Sequence, residues 1–352
     1  MPATVGVIAN PASGRDIRRL VSGASVFDNA EKGRMIYRLL VGLGAVGVEQ
    51  VLLMPAGAGL GESLERNLRA HHTDPHPPRL PALTTLDMPL HDGPEDSALA
   101  TRLLVEAGVA AIVVLGGDGT HRVVATHCGD TPLCTLSTGT NNAFPQLREA
   151  TIAGLATGFL ATGQVAPERA LRQEARLTVQ VEGATPREEL ALVDVALSTD
   201  PWIGSRALWR AEAITEVIVA FAQPGAVGLS GTAALVDPLP RGAGEALYLR
   251  LADPATAPLV VHAPLAPGLI LPVGVAEWRR IAPGQAVPLT PALGCLALDG
   301  EREIELTPAD RATVWLRSDG PRTIDVDAVM AHAAAHGLLR AGRLPQAAQG
   351  VE

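Results

Sequence analysis

The chain of 352 residues carries 28 lysine and arginine residues against 37 aspartates and glutamates, a formal charge of −9. That balance argues against a nucleic-acid binder, which needs a basic stripe to neutralise phosphates, and against a polybasic membrane-surface protein. At about 100–200 residues per domain the length predicts two domains, and a hydrophobic share of 47% fills two cores.

Only one basic residue is a lysine, Lys32; every other is arginine. Lys32 precedes Gly33 and Arg34, so there is no Gly-Lys-Ser/Thr loop and a P-loop NTPase is excluded. A protein-kinase ion pair or a Schiff base would rest on Lys32 alone, and a surface helix position is expected for it. Cys128, Cys134 and Cys295 are odd in number and form no CxxC pair, which reads as buried or semi-buried thiols in a reducing cytosol. No charged-then-apolar leader opens the sequence, and no apolar run approaches the roughly 18 residues that cross a bilayer. The expectation is a soluble, cytoplasmic protein, a homo-oligomer, without nucleic-acid partner or stable membrane association.

Strand and helix patterns alternate through the first half. Residues 5–9 are an apolar run that stops at the turn formers Asn10-Pro11-Ala12-Ser13-Gly14. Asp28 or Asn29 caps a helix whose face holds Met35, Ile36, Leu39 and Leu40 and which ends in the glycines around Gly44. Residues 51–54 read as a strand closed by Pro55, and 71–81 as a proline-rich loop. Pro94 suits the first turn of a helix in which Leu99, Leu103 and Ala107 are spaced four apart. Residues 110–115 read as a buried strand before Gly116-Gly117-Asp118-Gly119-Thr120, with a helix from near His121. A strand at 133–136 leads into Ser137-Thr138-Gly139-Thr140-Asn141-Asn142 and a helix over 145–162. This alternation with buried apolar strands predicts a parallel, Rossmann-like α/β domain over residues 1–163.

The character changes near residues 163–167. Leu177, Val179 and Val181 alternate with polar residues, as in a half-exposed antiparallel strand. Further strands are expected at 190–197, 233–236, 246–251, 259–262, 296–298, 304–306 and 313–316, with one helix over 206–221. Residues 164–320 therefore read as a β-rich domain. A final helix is expected over 325–336, followed by a frayed tail after Gly342.

Three turns in the first half follow the C-terminal ends of parallel strands, the edge where α/β sheets bind ligands. In Gly116-Gly117-Asp118-Gly119-Thr120 the glycines bring N–H groups close to an anion and the following helix adds its positive end. Asp118 would repel phosphate, so it makes sense as a handler of a proton or of Mg²⁺ in phosphoryl transfer; an ordinary turn with Asp118 as N-cap accounts for the same residues equally well. Asn10, Ser13 and Gly14 repeat the logic, with Arg15, Arg18 and Arg19 behind them, although a plain Asn-Pro turn explains them singly. Ser137 to Asn142 supply hydroxyls and amides around Gly139, and a polar helix cap is their alternative. Together, without a Walker lysine, the three turns favour a phosphate cradle of backbone and hydroxyl groups.

These residues resemble a superfamily. Gly-Gly-Asp-Gly-Thr at 116–120 is similar to the signature of the NAD kinases and of the diacylglycerol and sphingosine kinases. Asn-Pro-x-Ser-Gly at 10–14, Leu136 to Asn142, and Leu298-Asp299-Gly300-Glu301 resemble further motifs of that group, in the same order. More closely, IANPASGRDIRRLVSGASVFDNAEK from Ile8, GGDGTHRVVA, STGTNNAFP and TIAGLATG resemble the acetoin-catabolism protein X group of ATP-NAD kinase-like proteins. The resemblance implies an α/β domain, a β-rich domain and a last segment, 321–352, packing back on the first. It also implies transfer of a γ-phosphoryl group from ATP, with Mg²⁺, to a hydroxyl of a small-molecule substrate in the interdomain cleft. By the same resemblance Asp118 is the proton acceptor. Gly116, Gly117, Gly119 and Thr120 shape the phosphate site, with Asn10, Ser13, Gly14, Gly139, Thr140 and Asn142 around the nucleotide. Asn141 and Asp194 fall to the substrate side, while Asp299 orients Mg²⁺ and Glu301 assists Asp118. On the residues alone, Asp299-Gly300 reads better as a two-residue hairpin turn.

The sequence departs from the NAD kinase pattern on the acceptor side. Val193 stands where those enzymes carry the asparagine of an Asn-Glu or Asn-Asp pair, leaving Asp194 alone, and Gly228-Leu229-Ser230-Gly231-Thr232-Ala233 only echoes their later Gly-Ser-Thr-Ala segment. NAD as acceptor therefore follows from the family and not from these residues. The alternatives are a kinase of another small-molecule or lipid hydroxyl, and a catalytically inactive NAD- or ATP-binding regulatory protein. His71, His72 and His76 are assigned to a solvated loop, not a metal site. Trp202, Trp209, Trp278 and Trp315 are scattered, so core or interface roles suffice for them; His121 and Arg122 are better candidates for phosphate contacts, with packing on the helix face as their alternative.

Overall fold

A computed structural model describes residues 2–11, 23–55, 57, 59–183, 185–200, 202–203, 211–289 and 294–340. Five parallel strands, β1 (Thr4–Ala9), β2 (Gln50–Leu53), β3 (Ala82–Thr85), β4 (Ala111–Gly116) and β5 (Leu133–Ser137), stand in the order β3-β2-β1-β4-β5. Both sheet faces are covered, because the strand residues alternate between two cores. Ala111, Val113 and Leu115 meet helices α1 (Asn29–Ala45), α2 (Leu60–Thr73) and α5 (Ala150–Ala161); Ile112 and Val114 meet α3 (Pro94–Glu106) and α4 (Asp118–His127). The α1–α5 contact is close because it is built on glycine: a Cβ on Gly42 would lie 2.4 Å from the Thr151 carbonyl oxygen, and one on Gly154 2.5 Å from that of Leu39.

After α5 a short helix, α6 (Pro167–Ala170), leads to β6 (Leu171–Gln173), and the chain enters the β-rich part. One antiparallel sheet has the order β12-β13-β11-β10-β9-β15-β16, from β9 (Asp194–Ser198), β10 (Ile214–Val219), β11 (Ala246–Ala252), β12 (Leu259–Ala266), β13 (Leu269–Ile281), β15 (Gly294–Leu298) and β16 (Glu301–Leu306). A second has the order β14-β17-β7-β8, from β7 (Arg176–Glu182), β8 (Arg187–Ala191), β14 (Val287–Leu289) and β17 (Arg311–Arg317). Leu177, Val179, Val314 and Leu316 of the second sheet share a core with Val195, Leu296, Leu298 and Ile304 of the first. A six-residue helix, α7 (Leu229–Ala234), covers the outer face of the larger sheet. The chain then returns: β18 (Arg322–Ile324) pairs with β5 and β6, and α8 (Val326–His336) packs against α5. The protein is thus a doubly wound parallel α/β unit joined to an antiparallel β-rich unit.

Several expectations are corrected. Within 206–221, residues 214–219 form strand β10, since its run of β-branched side chains is buried on both faces; 206–210 lie outside the described residues. Of residues 233–236, 233 and 234 end α7 and 235 and 236 form the turn after it. The expected strand 190–197 is broken at Leu192 and Val193, and the helix expected from 145 starts at Ala150, where the Glu149 carboxylate accepts the Thr151 and Ile152 N–H groups. His71 and His72 sit on the last turn of α2, with no metal-ligand cluster around them among the described residues. Lys32 is not a surface residue: its side chain is fully buried. The three cysteines are buried free thiols. Among the described residues no helix is long and apolar enough to cross a membrane.

Candidate functional site

The turns after β1, β4 and β5 come together at the C-terminal edge of the parallel sheet. Asn10 leaves β1, donates its backbone N–H to Leu115 and its side-chain Nδ2 to Thr120 Oγ1 at 3.0 Å. Ser13 and Gly14, with Arg15, Arg18 and Arg19, lie outside the described residues. The turn after β5 is held from within: Asn142 Nδ2 donates to Ser137 Oγ at 2.7 Å and to the Gly139 carbonyl at 3.3 Å. It is also held from outside, because Thr140 donates its N–H to the Ser25 carbonyl and accepts the Ser25 N–H on Oγ1. Gly139 permits this contact, since a Cβ there would lie 3.0 Å from Val26.

Asp118 is the first residue of α4. Its N–H reaches Asn142 Oδ1 at 3.4 Å, and its carboxylate accepts the Ala143 N–H at 3.0 Å and the Phe144 N–H at 2.8 Å. The same two residues are gripped from the β-rich side. Arg241 Nη2 donates to the Ala143 and Phe144 carbonyls at 2.5 and 2.6 Å, and its guanidinium lies 5.0 and 4.4 Å from the ring centres of Phe144 and Phe221. Residues 143–144 therefore form a strap, with its amides on Asp118 and its carbonyls on Arg241. Nothing in the sequence singles out Arg241, which stands in a proline-rich connection between α7 and β11.

Asp299 and Gly300 form the two-residue turn between β15 and β16, with φ of 52° and 77°, as the residues alone suggested. The Asp299 carboxylate is buried and accepts the N–H groups of Leu192 (2.9 Å), Val193 (2.7 Å) and Asp194 (3.3 Å), which explains why the strand breaks there. Asp194 answers by accepting the Gly300 N–H at 3.2 Å. Burial pushes the Asp299 carboxyl up to about 8; the Arg122 guanidinium opposes the shift and the Asp194 carboxylate adds to it. Asp299, expected on Mg²⁺, is thus committed to the backbone of 192–194. Of the two residues expected to contact phosphate, Arg122 borders the cleft and pairs with Glu303 at 2.7 Å. His121 does not: it is fully buried, its Nδ1 lies 2.8 Å from the Gly117 carbonyl, and burial pushes its pKa down to about 4.

These elements enclose a cleft of about 480 Å³ bordered by Asn10, Ser25, Val26, Gly117 to Thr120, Thr138 to Asn142, Asp299 and Glu301. A smaller recess of about 40 Å³ opens on the other side of Asp118, against Asn141, Asp194, Ile214, Leu229 and Ser230. Asp118, Asn141 and Asp299 border both. Gly116 stands behind the wall, where a Cβ would meet the Thr120 side chain at 2.6 Å. Glu301 faces Gly119, its carboxylate 3.6 Å from where a Cβ would stand.

A curated relative, the acetoin catabolism protein X of Cupriavidus necator, is 45% identical over 346 residues, spanning 98% of this chain and 95% of that protein. The chain belongs to the acetoin catabolism protein X family. Residues 5–165 match the ATP-NAD kinase N-terminal domain, and residues 175–319 the acetoin catabolism protein X C-terminal domain. Among solved structures, yeast NADH kinase complexed with NADH is 15% identical with a TM-score of 0.47, over 97% of this chain and 90% of that one. Asn10, Asp118 and Asn142 lie in the part that matches the ATP-NAD kinase N-terminal domain, and Asp194, Arg241 and Asp299 in the part that matches the C-terminal domain.

Proposed function

We propose that this member of the family transfers the γ-phosphoryl group of ATP to a hydroxyl, with NAD as the first acceptor to test. The observation that carries this reading is the place of Asp118, on the partition between a nucleotide-sized cleft and a small recess. A protein that only binds nucleotide gains nothing from a carboxylate beside phosphate, whereas a transferase needs a proton acceptor there. The N–H groups of the first turn of α4, together with Asn10, Thr120, Thr140 and Asn142, would bind phosphate oxygens. The acceptor hydroxyl would enter from the recess. Its oxygen bonds to the γ-phosphorus, its proton passes to Asp118, and the bond to the β-phosphate oxygen breaks to release ADP.

Mg²⁺ usually takes only one or two carboxylates and completes its shell with phosphates and water, which suits a cleft with no preassembled cluster of ligands among the described residues. Glu301 is the carboxylate assigned to it, in place of the committed Asp299. Bound Mg²⁺ would neutralise charge on the phosphates.

The acceptor side favours one further reading. A recess of about 40 Å³ closed by Ile214 and Leu229, with Val193 in the asparagine position, suits a smaller hydroxyl compound than a dinucleotide. Incubation with ATP, Mg²⁺ and NAD, following NADP and ADP, decides between them. NADP formed by wild type supports the first reading, and ADP formed only with another hydroxyl compound supports the second. Turnover that survives Asp118→Asn overturns the role of Asp118 in both.

A further inference from the structure

Lys32 takes no part in the transfer just described, yet the molecule gives its only lysine an unusual place. The side chain is 1% exposed, and Nζ donates to the Asn10 carbonyl at 3.0 Å and to Asn29 Oδ1 at 3.2 Å. Removing an ammonium from water is costly unless its surroundings compensate. Asn10 is a wall residue of the cleft, and its side chain holds Thr120, two positions beyond Asp118. The path from the ammonium to the phosphate turn therefore runs through a single residue. The choice of lysine fits the place. A compact ammonium can aim separate donors at the Asn10 and Asn29 oxygens, whereas the planar guanidinium used at every other basic position is wider and forked.

We propose that Lys32 is a positioning residue for the polyphosphate of the bound nucleotide: its ammonium fixes the Asn10 turn and sets a positive charge directly behind that wall of the cleft. The proposal rests on the reading that the cleft holds ATP, and the test separates the two. Because the chain has one lysine, protein labelled with ¹³C-lysine gives a single side-chain Cε signal. That signal is followed while magnesium ATP, magnesium tripolyphosphate and adenosine are added in turn, with binding measured by calorimetry. The expected result is a shift with ATP and with tripolyphosphate but none with adenosine. Lys32→Met should weaken magnesium ATP binding at least tenfold and leave adenosine binding unchanged, a split that loss of stability alone does not produce. A wild-type signal that stays still while ATP binds overturns the proposal, as does a folded Lys32→Met protein with wild-type ATP affinity. Should Lys32→Met not fold, the wild-type signal decides alone. If wild type binds no ATP, the reading of the cleft falls, and the response to tripolyphosphate then supports or overturns the role of Lys32 by itself.

Discussion

Asp118 and Asp299 hold the chain in the same way in different surroundings. Each carboxylate gathers backbone N–H groups from a segment that has just left a strand, 143–144 after β5 and 192–194 after β8. Asp118 does so half-buried, at a helix start between two glycines and bordering both cavities. Asp299 does so at 4% exposure in a hairpin turn, where burial raises its pKa to about 8. The same local bonding thus produces an oriented acid open to a ligand in one place and a clamp on the β-rich unit in the other. Burial separates the two: Asp118 is half-buried and Asp299 is buried.

The comparison breaks most visibly by substitution at each acid. Asp118→Asn keeps an acceptor oxygen for the 143–144 amides but cannot take a proton, so phosphoryl transfer should fall by about 10²–10⁴-fold with the melting temperature near that of wild type. Asp299→Ala leaves three buried amides without their acceptor, and urea unfolding should show a loss of about 4 kcal/mol. If Asp299→Ala is as stable as wild type, the clamp is wrong. The acidity of Asp299 has its own signature. With the folded value raised above the unfolded one, the native state holds the extra proton between about pH 4 and 8, so this group's contribution to stability declines as pH rises through that window. Asp299→Asn should flatten that slope.

The two acids also mark how far the sequence could be read. The parallel unit was legible because buried strands stop at glycine turns and helices begin at caps: Asp28 caps α1 and accepts the Glu31 N–H, and Pro94 opens α3. Asp118 stood out for the same reason, as an acid among glycines. The β-rich unit was less legible because its signals are shared over distance. Strand β10 carries a dense apolar run that fits helix and strand alike, and the break at Leu192–Val193 is imposed by Asp299, more than a hundred positions away. Arg241 acts through two carbonyls, which leave no trace in sequence. The burial of Lys32 comes from the packing of α1 against its neighbours, while its own surroundings in the sequence are polar.

His121 tests the packing beneath Asp118. Its folded pKa of about 4 lies below the ordinary 6.5, so the unfolded chain binds the extra proton between those values. Stability should therefore fall as pH drops from 6.5 towards 4, by at most about 3 kcal/mol. His121→Gln should lose that acid sensitivity, measured as the change in urea midpoint between pH 7 and pH 5. A variant with unchanged acid sensitivity would show that another group carries it.

The smallest effect, and the sharpest, separates the glycines on either side of Asp118. A Cβ on Gly117 would stand 2.9 Å from Asn142 Oδ1, and that side chain cannot swing away freely because its Nδ2 is tied to Ser137 and Gly139. Gly117→Ala should push Asn142 off the Asp118 N–H and destabilise by about 1 kcal/mol, roughly the worth of one hydrogen bond. A Cβ on Gly119 meets nothing nearer than the Glu301 carboxylate at 3.6 Å, an ordinary contact, and Gly119 lies in the first turn of α4. Gly119→Ala should stabilise the free protein by up to about 1 kcal/mol, because alanine is the better helix former. It should also weaken magnesium ATP binding, since the methyl group would point toward Glu301, the carboxylate assigned to the ion. Opposite signs in melting temperature and affinity for Gly119→Ala, against losses in both for Gly117→Ala, would show that the two glycines serve different ends: one gives room to the chain and the other to the ligand.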